Sequence, residues 1–156
     1  MTAASAVLLC ALDLMGRSPA SMPSIQFVAS PPPGVSVNAE AFVHEGGGVI
    51  YLITSSPGFR DARCGDRPSL VRLAAILAHE EWHVRHGPDE RSAYQAQLMM
   101  LMRLGAGPDT MLFHNVYRSM RFVLKSRERE ARAAAAAAAA ESARDDRGRL
   151  IAKRDD

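Results

Sequence analysis

The segment SLVRLAAILAHEEWHVRHG, Ser69 to Gly87, is apolar around most of its helical circumference. A helix of that kind belongs inside a domain, so the other elements must wrap around it. Ser69 or Pro68 can open it, and Gly87 with Pro88 stops it. With 156 residues, 47% of them hydrophobic, the chain has the length of one domain and the apolar content for a core.

The elements around this helix read as α+β. MTAASAVLLCALDLMGRS is apolar and short, but it lacks a leading basic stretch and Asp13 interrupts it. It reads as an amphipathic first helix ending near Gly16 rather than as an export signal. IQFVAS is a strand, ended by the prolines at 31 to 33. Ala41–His44 and Val49–Thr54 form a hairpin about a glycine-rich turn, and SSPGFRDARCGDRPS is a loop of turn-forming residues. A second helix runs from about Asp89 to Leu104, where Gly105 and Pro108 end it. A third starts at Asp109 as N-cap and places Met111, Leu112, Val116, Met120 and Val123 at helical spacing.

Beyond Lys125 alanine and charge dominate, giving high helix propensity with little to bury. The division expected is a domain over 1–125 and a tail over 126–156, helical and solvent-exposed before it frays into disorder. A helical arm that binds a protein partner is the functional alternative for this tail.

The formal charge of +2 is small and mixed in sign, which argues against nucleic acid as a partner. No run approaches the ~18 apolar residues of a membrane span. Cys10 and Cys64 make no disulfide framework, in keeping with a reducing, cytoplasmic setting.

Within the central helix, His79, Glu80 and His83 form HExxH. Residues four apart share a helical face, so both imidazoles reach one ion at roughly 2.0 to 2.1 Å. Glu80 lies about 60 to 100° round the helix, where its carboxylate borders the open coordination position and can serve as general base. Glu81 and Arg85 read as a helix-surface ion pair, Trp82 as core, and His86 as a helix-end cap.

A catalytic zinc site usually takes three protein ligands. Glu90 falls in the middle of the inward face of the second helix, with Tyr94, Gln97, Leu98 and Leu101 around it. A carboxylate there requires a partner, and a metal held by His79 and His83 would be one. Asp89 stands at the border of that face, where capping is its default role, and it is the alternative third ligand.

HEEWH followed by a Gly-Pro break and ERSAY resembles the gluzincin branch of zinc metallopeptidases, and its minimal single-domain members most. The resemblance covers roughly Val49 to Leu104. It implies a small zincin-like domain, zinc held by His79, His83 and Glu90, and hydrolysis of peptide bonds in a peptide or protein substrate. Tyr94 stands where many gluzincins have an aspartate that orients a ligand histidine. The link from His83 to Glu90 is short, and a partial fit to metzincin spacing would give Asp89 the third position. The strand VIYLIT is then the expected edge for pairing an extended substrate. Tyr94, one turn past Glu90, is the candidate donor to a developing oxyanion, with His114 and Tyr117 as weaker ones. RCGDRP resembles the cysteine-switch segment of matrix metallopeptidase propeptides, but coincidence is the better account of Cys64. A non-catalytic, metal-stabilised module that binds a protein through its strand edge or C-terminal helix is the alternative function.

Overall fold

The computed structural model describes residues 2–63 and 65–152. Thr2 opens helix α1, Ala3–Met15, by accepting the Ser5 N–H, and Gly16 closes it at φ 64° in the left-handed region that suits glycine. A short 3₁₀ turn, Pro19–Ser21, leads to strand β1, Ser24–Val28. Strands β2, Ala41–Val43, and β3, Val49–Ile53, follow, then helices α2, Pro57–Arg63, and α3, Arg67–His86. Helix α4 is Glu90–Arg103 and α5 is Met111–Ala152. The class is α+β, as the residue pattern predicts.

The sheet has the order β1-β3-β2. β1 runs parallel to β3 and β2 antiparallel to it, so β3 is the central strand and both its edges are occupied. This overturns VIYLIT as a substrate-pairing edge, because a strand already paired on both sides has no free backbone row to offer. The free edge nearest α3 belongs to β2. The Ile53 N–H donates to the Glu40 carbonyl at 2.9 Å. Antiparallel alternation then turns the backbone groups of Ala41 and Val43 outward.

Asp66 caps α3 by accepting the Ser69 N–H at 2.7 Å. The helix supplies Leu73, Ala74, Leu77 and Ala78 to a cluster with α1, α2 and the sheet, and Val71 and Ala75 to a second with Leu98, Leu101 and Val116. Serving two cores explains its nearly continuous apolar surface. Val7, Ala11, Leu12 and Met15 of α1 are buried.

Two local expectations are corrected. The supposed loop after β3 contains α2, a seven-residue helix whose Phe59 and Ala62 are buried in the core. Thr110 rather than Asp109 opens α5, its hydroxyl accepting the Phe113 N–H at 3.3 Å.

The chain divides into two compact units, residues 1–120 and 121–156. In the second, α5 continues to Ala152 and most described side chains are exposed. Cys64 and the residues at 153–156, on which the switch resemblance and the frayed end fall, lie outside the described residues. Among the described residues no helix is long and apolar enough to cross a membrane.

Candidate metal centre

Gly87 ends α3 by donating its N–H to the His83 carbonyl, and three residues later α4 begins. This short turn folds α4 back on α3 and brings Glu90 to the two histidines. His79 Nε2 lies 3.1 Å from His83 Nε2, and Glu90 Oε2 lies 3.4 Å from the first and 3.6 Å from the second. Donors of a tetrahedral site with bonds near 2.0 to 2.1 Å stand about 3.3 to 3.4 Å apart, so the triangle has the size that a zinc-like ion requires. His79, His83 and Glu90 therefore form a group that could hold a metal ion.

The proton positions suit that role. His83 Nδ1 lies 2.8 Å from the Gly87 carbonyl, which accepts its proton, so that an ion displacing the Nε2 proton would meet a lone pair facing the centre. His79 Nδ1 is buried without a hydrogen-bond partner among the described residues. The Tyr94 ring meets the His79 ring edge-on at 4.7 Å, so packing fixes this imidazole where a carboxylate commonly would.

Charge reinforces the cluster. Hydrogen bonds from His79, then from His83, hold the Glu90 carboxyl far below its ordinary range despite partial burial. Burial is the largest influence on His83 and opposes its charge, but bonding to Glu90 and the Gly87 carbonyl, with the charges of Glu90 and Glu80, outweighs it and raises the imidazole. Glu80 is buried, and burial raises its carboxyl against the opposing pull of His79 and His83, with Glu90 raising it further.

Asp89 is engaged at the helix start. Its Oδ1 accepts the Arg91 N–H at 3.0 Å and its Oδ2 accepts the Ser92 hydroxyl at 2.6 Å, an N-cap at the helix surface.

A cleft of about 270 Å³ adjoins the cluster, lined by His79, Glu80, Tyr94 and Gln97 together with Glu40 and Arg72. Ala41, Asn115 and Ser119 also line it, whereas His114 and Tyr117 do not. Glu40 and Arg72, joined at 2.9 Å, are the site residues that sequence reasoning missed. Arg72 had a signal, since it precedes His79 by seven residues and so shares its face. Glu40 had none.

No known family model, curated protein or solved structure matches the chain. Fold and site together define a small α+β domain with a three-donor cluster suited to a metal ion.

Proposed function

We propose that the chain is a small zinc-dependent peptidase of the gluzincin type, with Glu80 as general base. The observation that carries this reading is the buried Glu80 beside the His79–His83–Glu90 triangle at the wall of a cleft. A structural site needs its donors, but it does not need a further buried carboxylate with raised proton affinity next to them. Two imidazoles and one carboxylate are also the donor set of a catalytic zinc, which keeps its fourth position open.

Zinc at this centre would lower the pKa of water and polarise the substrate carbonyl. Glu80 accepts a proton from the attacking water and delivers it to the leaving amine nitrogen. Its burial helps, because a base works best when its proton affinity lies near the working pH. Tyr94, on the cleft wall, directs its hydroxyl toward the carbonyl oxygen as negative charge develops there. The outward backbone groups of Ala41 and Val43 on β2 pair with the extended substrate, since Ala41 also lines the cleft.

Zinc analysis of the purified protein and cleavage of a mixed peptide library test this reading. Glu80→Gln keeps the side chain's size and removes its basicity. It should retain zinc and lose hydrolysis by about 10² to 10⁴-fold. A protein that takes up no zinc overturns the metal centre. Zinc binding with no cleavage of any peptide, by wild type or variant, leaves the non-catalytic module as the better account.

A further inference from the structure

Trp82 is the chain's only tryptophan, and it is half-buried at a groove rather than sealed in the core. The groove lies between α3 and α4 and encloses about 430 Å³. Trp82, Met99 and Met100 give it an apolar lining, and Arg17, Arg85, Arg103 and Glu81 line it as well. Met99 is 65% exposed and Met102, on the same helix, 48%. Around α3 Trp82 stands about 60° from His79 and about 100° from His83, and Arg85 about 120° or more from both, so the groove opens beside the face of the metal donors rather than on it.

The three arginines face a single carboxylate. Buried Glu81 holds Arg85 at 2.8 Å and Arg17 at 3.5 Å. The other anchors are neutral carbonyls: Arg85 also donates to the Ser21 oxygen, and Arg103 donates to the Met15 oxygen at 2.8 Å. Gly16 leaves room for Arg103, because a Cβ there would stand 3.1 Å from its Nη2. Two positive charges thus remain in excess on guanidiniums already held in place, and Arg17 and Arg85 are still 43% and 47% exposed.

We propose that this groove is a docking site for an acidic amphipathic helix of a protein partner. Methionine and tryptophan linings accept varied apolar side chains, and two facing helices make the groove that an amphipathic helix fills. From Ala96 to Arg103 the α4 wall runs about 10 Å, two turns of a partner helix, which suits apolar anchors four residues apart. Three anchored guanidiniums around one carboxylate match several carboxylates along such a helix, where a fatty acid would offer one. The proposal does not depend on the peptidase reading.

Trp82 itself reports occupancy. A synthetic helical peptide carrying leucines at i and i+4 flanked by glutamates should shift Trp82 emission saturably, and more weakly as salt rises. The same peptide with lysines for glutamates should not. Met99→Glu, at an exposed position, and Arg17→Ala should each weaken binding by roughly tenfold, the loss one anchoring residue commonly carries. Unfolding midpoints and zinc content measured in parallel identify a variant that has merely lost its fold. Equal binding of both peptides, binding undiminished in both folded variants, or saturation by lauric acid but not by the acidic peptide would each overturn the proposal.

Discussion

Two adjacent carboxylates at the start of α4 divide into different tasks, and the division follows from one residue of helix phase. Asp89 precedes the first turn, so its oxygens meet the backbone and hydroxyl donors of Arg91 and Ser92. Glu90 is within the turn and faces α3, where its carboxylate meets the two imidazoles. Glu90→Ala should therefore lower metal affinity by more than about 100-fold, since even the outer partners of a metal ligand commonly cost 10 to 100-fold. Asp89→Ala should leave occupancy intact and cost only a modest part of α4's stability. Titration of both variants with zinc under a competing chelator measures the contrast. If Asp89→Ala empties the site while Glu90→Ala spares it, the metzincin-like spacing is correct instead.

Elements differed in how far they could be read from the chain, and the difference follows the range of the forces that form them. α3 was legible because its apolar periodicity, its proline start and its glycine stop are all local, and the two histidines inherit their alignment from helical spacing alone. α4 was legible for the same reason, down to the inward phase of Glu90. The sheet was not, since which strand lies in the middle depends on β1 returning beside β3 from more than twenty residues away. α2 was hidden because Ser55, Ser56, Pro57 and Gly58 have a turn-like composition, and burial of Phe59 and Ala62 overrides it. That helix also secures the cleft wall. A Cβ on Gly58 would strike the Glu40 carboxylate, which is nearly buried and bonded to Arg72. Gly58→Ala should thus destabilise the domain by about 1 to 3 kcal/mol, the usual cost of overpacking. In a Glu40→Ala background the same substitution should cost clearly less, because the colliding group is gone. Equal costs in the two backgrounds, from denaturant unfolding, would show that Gly58 does not act through Glu40.

At the scale of the whole molecule, the metal cluster should set how stability responds to pH, with a trend that zinc reverses. In protein stripped of metal, Glu90 is held below its ordinary 4.5, so its contribution is present above that value and fades as pH falls through the lowered one. His83 is raised above its ordinary 6.5 by the balance of contacts already described, so its contribution is complete below 6.5 and fades as pH rises through the raised value. Glu80, raised mainly by burial, is most favourable below 4.5 and loses that advantage as it ionises. Above 4.5, then, the Glu90 contribution is secured while those of His83 and Glu80 diminish, and the stripped protein should weaken from mildly acid pH toward pH 8. Zinc alters the sign, because it binds the deprotonated imidazoles and competes with their protons. Its stabilisation should grow over the same range, so the unfolding midpoints of zinc-saturated and chelator-treated protein should diverge as pH rises from about 5 to 8. Parallel curves would mean that zinc does not bind through His79 and His83, whereas a stripped protein that grows steadily more stable toward pH 8 would contradict the charge arrangement derived for His83 and Glu80.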